Sequence, residues 1–130
     1  MFDWWVHNAD RNLTELGGNP NLLWSNEQPA TLTMIDHNLA FDPDFNAAEF
    51  LHLHIFSEEV PALFSDFLLR ESYSARFDQA FQSWGDICDT LPEAWFFIDA
   101  EKTLPVNYPF DAVKKLLERA ASEAFWQLPP

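Results

Sequence analysis

The spacing of apolar residues changes at about residue 46 and divides the chain into two differently patterned regions. In the first region, two short apolar runs, 21–24 and 31–35, flank the polar stretch 25–29, which ends in proline. Short apolar runs joined by a polar connection are typical of two antiparallel strands. The pattern therefore predicts a small β-hairpin near the N-terminus.

The segment that precedes this hairpin, residues 12–20, has the composition of a turn. It ends in Gly17-Gly18-Asn19-Pro20. Glycine tolerates positive φ, and the residue before proline is disfavoured in the helical conformation. We therefore expect a loop here.

From residue 46 onward the apolar residues recur at intervals of three and four, which predicts helices. Phe77, Phe81 and Trp84 would share one face of a helix, and Ser74 is placed to cap it. Loops are expected around 86–92 and 99–108.

The last helix has the clearest pattern. It is predicted to begin at Pro109 or Phe110 and to end at Pro129-Pro130. Its apolar stripe consists of Val113, Leu116, Leu117, Ala120, Ala121 and Phe125. The whole pattern predicts an α+β, mostly helical fold in one domain, residues 1–130, with the hairpin within 1–45 and helices over 46–130.

Charge narrows the choice of partners. The chain has 21 Asp and Glu against 7 Lys and Arg, a formal net charge of -14. Nine carboxylates and no Lys or Arg lie between Arg11 and Arg70. Nucleic acids and anionic membranes need basic residues, so neither is expected as a direct partner. The charge favours docking on a protein with a basic surface, although acidity can also serve solubility alone.

Cysteine usage and hydropathy indicate the compartment. Cys88 is the single cysteine, so no internal disulfide or paired-cysteine metal site is possible. The N-terminus does not resemble a secretory signal, and no run approaches the ~20 apolar residues of a membrane span. We expect a cytoplasmic protein.

Three segments of the first region carry the residues most suited to chemistry. They are His7-Asn-Ala-Asp-Arg-Asn12, Gly17-Gly-Asn-Pro-Asn-Leu-Leu-Trp24 and Ile35-Asp-His-Asn-Leu-Ala-Phe-Asp42. Phosphoryl transfer needs one carboxylate that orients and deprotonates a hydroxyl, together with hard oxygen ligands for Mg²⁺. The three segments together contain such a set.

These segments resemble the catalytic loop and metal-binding hairpin of the HipA-like protein kinases. The resemblance implies that Asp10 is the catalytic base and that Asn21 and Asp36 are the Mg²⁺ ligands. Asn19 is a competing candidate for the amide ligand. The resemblance also implies a helical domain like a kinase C-terminal lobe, preceded by the small hairpin.

The resemblance departs from the common kinase pattern in two ways. Asn21 follows Asp10 by eleven residues, whereas the common loop places its Asn about five residues after the Asp. The nine residues before Asp10 leave no room for an ATP-binding N-terminal lobe with its glycine loop and lysine. We therefore expect that the chain alone phosphorylates nothing and binds no cofactor, and that Mg²⁺ and ATP bind only together with such a lobe.

Two functions follow from these expectations. The first is a non-catalytic acidic protein that binds or inhibits another protein, such as a mobile-element inhibitor of nucleic-acid-handling host defence of the anti-CRISPR type. In such a protein Asp10, Asn21 and Asp36 would be relics. The second is one half of a split HipA-like serine/threonine kinase in a toxin–antitoxin system. Apolar surface near the loop, rich in tryptophan, could also support homo-oligomers, although core packing is the simpler role for these rings.

Other residues invite weaker interpretations. His52 and His54 point about 200° apart on a helix, so we expect ordinary histidines rather than a metal site. His37 follows Asp36 directly, and a structural hydrogen bond is its expected role. The apolar run 95–98 is expected to be buried.

Overall fold

A computed structural model describes residues 1–129 and confirms an α+β, mostly helical fold. Helices make up about half of the chain. A short helix and four strands come first: α1 (Phe2–Val6), β1 (Asn12–Thr14), β2 (Gly17–Asn19), β3 (Leu22–Ser25) and β4 (Thr31–Met34).

Five further α-helices follow the strands: α2 (Ala47–Leu53), α3 (Val60–Ser65), α4 (Phe67–Gln82), α5 (Trp84–Asp89) and α6 (Phe110–Glu118). Short 3-10 turns lie at Ser57–Glu59, Glu93–Phe96, Arg119–Ala121 and Glu123–Trp126. Among the described helices, none has the length and apolar content that crossing a bilayer requires.

The predicted hairpin is confirmed. Strands β3 and β4 are antiparallel, with Leu22 opposite Met34 and Ser25 opposite Thr31. The polar stretch between the two apolar runs forms their connection, as the composition indicated.

The loop predicted over residues 12–20 is wrong, because this segment folds as a second hairpin, β1 with β2. Asn12 pairs with Asn19, and Gly17 has φ of 112°, which a side chain disfavours. A Cβ on Gly18 would lie 2.5 Å from the carbonyl oxygen of Asn12, so only glycine fits there. The glycines therefore permit close strand pairing in addition to a turn.

Two details of the predicted helices also change. Asp66, rather than Ser74, caps α4, because its carboxylate accepts a backbone N–H from the first turn at 3.0 Å. Phe77 is buried and Phe81 half-buried on this helix, but Trp84 begins the next helix. The apolar spacing continued across the break and therefore concealed it.

The predictions for the two loops and for the apolar run 95–98 have different outcomes. The loop expected around 86–92 is partly helical, since α5 extends to Asp89. The stretch 99–108 contains no helix or regular strand, as predicted. Trp95 is 68% and Ile98 74% exposed, so the expected burial of the run 95–98 is wrong.

The last helix begins at Phe110 as predicted, but regular α-helix ends at Glu118 and continues as two 3-10 turns. The helix was predicted to end at Pro129-Pro130. Pro129 follows these turns, and Pro130 lies outside the described residues. The predicted stripe divides into buried Val113, Leu117, Ala120 and Phe125, half-buried Leu116 and exposed Ala121. The tighter rotation of a 3-10 turn explains why Ala121 leaves the stripe.

Two tryptophans of α1 lie at the centre of the apolar core. The ring of Trp5 stacks on Phe77 at a centroid distance of 4.6 Å, and its Nε1 donates to the carbonyl of Leu117 at 3.0 Å. Nε1 of Trp4 donates to the carbonyl of Phe125 at 3.3 Å. Helix α1 is thus packed against the C-terminal half of the chain, as core packing of these residues required.

Arg119 holds the end of α1. Its Nη2 donates to the carbonyl oxygens of Trp4 and Trp5, which have no partner within so short a helix. Burial lowers the pKa of Arg119 to about 10, so the guanidinium is still charged at neutral pH. The positive charge also suits the negative end of the helix dipole.

The position of Trp5 predicts a large loss of stability on truncation. We expect Trp5→Ala to lower the free energy of unfolding by ~3–5 kcal/mol, because it removes a stacked ring and leaves a cavity. Trp24→Ala is the matched control, since Trp24 is 64% exposed and its loss should be close to neutral. Urea unfolding followed by far-UV circular dichroism measures both. Equal losses would contradict this account of the core.

Candidate functional site

The three residues singled out by the sequence lie where the hairpins begin and end. Asp10 lies between α1 and β1, Asn21 separates the two hairpins, and Asp36 follows β4 after one residue. Because each hairpin returns the chain to its starting point, positions distant in sequence come close in space.

Two asparagine amides converge on the carboxylate of Asp10. Nδ2 of Asn19 donates to its Oδ2 at 2.9 Å, and Nδ2 of Asn21 donates to the same oxygen at 2.8 Å. The β1–β2 hairpin occupies the residues between Asp10 and Asn19. This hairpin explains the eleven-residue spacing, since it adds chain without separating Asp10 from Asn21.

These hydrogen bonds fix the orientation of both amides. With Nδ2 directed at Asp10, the Oδ1 atom of each asparagine is left as an acceptor. Asn21 is nearly buried, whereas Asn19 is exposed. Either oxygen is suited to a hard cation, so both asparagines stay candidates for the amide ligand.

Asp36 is placed by the backbone of the second hairpin. The N–H of Ile35 donates to the carbonyl of Asn21 at 2.9 Å, and Asp36 is the next residue. Asn21 and Asp36 both have positive φ, 47° and 53°. Asn and Asp tolerate this conformation better than most residues do, and such strain clusters at functional sites.

The carboxylate of Asp36 is exposed and makes no hydrogen bond or ion pair with residues 1–129. The structure therefore joins Asp10 to Asn19 and Asn21 by direct contacts. It places Asp36 next to Asn21 through the backbone only.

Arg11 is fully buried and connects the elements that carry this site. Its Nε and Nη2 donate to the two carboxylate oxygens of Asp3, at 2.9 and 3.3 Å. Its Nη1 contacts three carbonyl oxygens, those of Pro20, Asn21 and Ile35. One guanidinium thus holds the backbone at Asn21 and immediately before Asp36.

Asp3 is the centre of a buried polar cluster. Besides Arg11, its carboxylate accepts from Nδ2 of Asn8 at 2.9 Å and lies 3.1 Å from Nε2 of His54. Burial alone would raise the pKa of Asp3. This effect of burial is outweighed by the hydrogen bonds from His54 and Arg11, the charge of Arg11 and the hydrogen bond from Asn8. Together they lower the pKa of Asp3 to about 2.

No pattern in the sequence predicted this cluster as a whole. His54 lies at the end of α2 and is buried on Asp3, whereas His52 is exposed. One signal was present: a buried arginine requires a carboxylate, and Asp3 is the only one that precedes Asp10. The contact with His54 spans 51 residues, and no local pattern indicates it.

Two further histidines border the loop. The imidazole of His7 stacks on Phe45 at 4.2 Å, and burial together with the charge of Arg119 lowers its pKa to about 4. It is therefore neutral at physiological pH. His37 packs edge-on against Phe2 at 5.4 Å, so an aromatic contact takes the place of the expected hydrogen bond among the described residues.

The oxygen donors near Asp10 are few for a metal ion. Within residues 1–129, no group of three or more His, Cys, Asp or Glu is arranged to hold a metal. One amide oxygen and one free carboxylate fit Mg²⁺ where phosphate oxygens and water supply the other ligands, which is the usual arrangement in nucleotide sites. The residues present fit a nucleotide-bound ion, not a metal centre built from protein alone.

Comparison with known proteins gave one result. A family model described as HipA-like kinase matches residues 1–129. No curated protein and no solved structure matches the chain significantly. The matched range includes the loop, both hairpins and the helices.

The low pKa of Asp3 predicts a pH-dependent contribution to stability. The folded-state value, about 2, lies below the ordinary 3.8, so the contribution is present above about pH 4 and is lost as the pH falls through 2. It corresponds to ~2 kcal/mol at neutral pH. We expect the Asp3→Asn variant to have a lower free energy of unfolding than the parent at pH 7. This difference should narrow towards pH 2. Urea unfolding across this range measures the difference.

Asp44→Asn is the control for this titration, because Asp44 is exposed. Its stability should follow that of the parent at every pH. A difference for Asp3→Asn that does not change with pH would mean that ionised Asp3 is not what stabilises the cluster.

Proposed function

The chain belongs to the HipA-like kinase family, and we propose that its first 45 residues form the hydroxyl-orienting and metal-binding half of a phosphoryl-transfer site. The observation that carries this proposal is the convergence of Asn19 and Asn21 on one oxygen of Asp10. A structural turn aspartate would not need two amides fixed in this way.

Asp10 is suited to the role of base. Both asparagine amides engage Oδ2, which leaves Oδ1 without a partner among residues 1–129. The side chain is only partly buried, so a serine or threonine hydroxyl can reach the free oxygen. A carboxylate in this position orients the hydroxyl and accepts its proton as the phosphoryl group arrives.

Asn21 and Asp36 would hold Mg²⁺, with Asn19 as the competing amide ligand. When bound, the ion neutralises charge that develops on the transferred phosphoryl group. The protein's contribution is to hold both ligands on backbone that Arg11 fixes, so little reorganisation is needed on binding.

The nucleotide phosphates need a further cation that the loop region cannot supply. Arg11 is the only basic residue before Arg70, and its guanidinium is fully engaged by Asp3 and backbone carbonyls. We therefore propose that an ATP-binding lobe outside these 130 residues provides the lysine and completes the site, as in a split kinase.

A second candidate function is a non-catalytic acidic protein that docks on a basic protein surface, such as an inhibitor of nucleic-acid-handling complexes. The distribution of charge favours it. Of the nine carboxylates between Arg11 and Arg70, eight are exposed and only Asp42 is half-buried. An acidic surface of this kind can occupy a groove that normally holds a phosphate backbone.

Reconstitution tests the kinase proposal. We expect that the chain, mixed with an ATP-binding lobe from a HipA-like kinase, transfers phosphate from ATP to a serine or threonine peptide in the presence of Mg²⁺. Asp10→Asn should reduce the rate ~10²–10⁴-fold, the range typical of a lost general base. Asp78→Asn, which changes an exposed carboxylate on α4, should leave the rate unchanged.

Metal binding in the reconstituted protein gives an independent readout. With the ATP-binding lobe and ATP present, titration with Mn²⁺ should broaden the amide resonances of Asn21 and Asp36 first, and Asp36→Asn should remove this effect. If Mn²⁺ instead broadens the resonances of exposed Asp and Glu residues throughout the chain, and reconstitution gives no phosphoryl transfer, the kinase proposal fails. Salt-sensitive binding to a basic protein complex would then support the acidic docking function.

A further inference from the structure

An apolar cavity of about 500 Å³ opens between α1 and the helical region, and neither proposed function uses it. Its walls come from α1, Phe41, the end of α4, α5, α6 and the stretch 91–108. Six segments thus form an open concave pocket rather than a flat face. The volume lies within the ~300–1,000 Å³ typical of small-molecule sites.

Aromatic rings form much of the wall and are packed against one another. Phe81 stacks on Trp84 at 6.5 Å, Trp84 meets Phe110 edge-on at 6.5 Å, and Tyr108 meets Phe110 at 4.8 Å. Because each ring is supported by the next, the cavity is built from side chains with few alternative positions. A site of this kind exists before a ligand arrives.

The lining excludes charged ligands. None of the described residues that line the cavity carries a formal charge at neutral pH. Its polar side-chain groups are few, chiefly the Cys88 thiol and the Tyr108 hydroxyl, and burial together with Cys88 raises the pKa of Tyr108. A charged ligand would lose its hydration without gaining a counter-charge, and the net charge of -14 opposes anions further.

We propose that this cavity binds an uncharged, largely apolar small molecule with an aromatic or hydrocarbon body. Water gains few hydrogen bonds from such walls, so its displacement by apolar groups is favourable. The lining does not include Asp10, Asn21 or Asp36, and the proposal does not depend on the proposed kinase function.

The test uses 1-N-phenylnaphthylamine, an uncharged aromatic probe whose fluorescence rises in apolar surroundings. We expect saturable binding of one probe per chain. The anionic probe 1-anilinonaphthalene-8-sulfonate should bind at least tenfold more weakly. Absence of saturable binding, or equal affinity for the two probes, would overturn the proposal.

Two alanines of α4 provide a matched pair of variants. Ala80 lines the cavity, whereas Ala75 lies on the same helix, is exposed and does not line it. Ala80→Trp should fill part of the space and weaken probe binding at least tenfold, while Ala75→Trp should leave it unchanged. Equal affinity in both variants would place the probe elsewhere and contradict the proposal.

Cys88 reports occupancy without a substitution, since it is the single cysteine and lines the cavity. Saturating probe should slow the reaction of Cys88 with N-ethylmaleimide, as measured by mass spectrometry. A reaction rate that the probe does not change would count against the proposal. Protection that instead grows with protein concentration alone would mean that a second copy of the chain fills the cavity, which would also overturn it.

Discussion

The buried ion pair between Arg11 and Asp3 is the interaction on which the arrangement of the site depends. A guanidinium removed from water is costly unless its charge and its hydrogen-bonding groups are all satisfied. Here each of the three nitrogens has a partner: Nε and Nη2 donate to the carboxylate, and Nη1 contacts the backbone carbonyls of Pro20, Asn21 and Ile35, which flank the two hairpins. The cost of burying Arg11 therefore forces α1, the β1–β2 hairpin and the β3–β4 hairpin into one relative position.

Helix α1 transmits this constraint to the helical region. Asp3 faces the loop and contacts His54 at the end of α2. Trp5 enters the core between α4 and α6, while Trp4 packs against Phe50 of α2 and Phe64 of α3. The backbone adds a further link, because the N–H of Ile55 donates to the carbonyl of Arg11 at 3.2 Å. The geometry around Asp10 thus rests on packing many residues away, as expected for a site that must stay preorganised.

The sequence predicted those features that local patterns determine. Alternating apolar runs indicated the β3–β4 hairpin, and the spacing after Phe110 indicated the start of the last helix. The sequence did not predict the strand pairing that depends on close approach of two backbone segments. Gly18 allows β1 and β2 to pair, whereas the composition of this segment indicated a loop. The residues Asp10 and Asn21 were identified from a motif, but their support by Asp3 and His54 was not, because a contact across 51 residues has no periodic signature.

Electrostatics links the two candidate functions. In the proposed site, the exposed carboxylates of the first 45 residues would attract Mg²⁺ but repel the phosphates of ATP, and Arg11 is buried and cannot compensate. A nucleotide would approach Asp36 only if a basic partner lowered this field. A kinase lobe that supplies a lysine and a basic target protein would both meet the same acidic surface, so charge alone does not separate the two functions. The free Oδ1 of Asp10 is the feature that favours the kinase proposal, since two amides hold this carboxylate with one oxygen open to a hydroxyl.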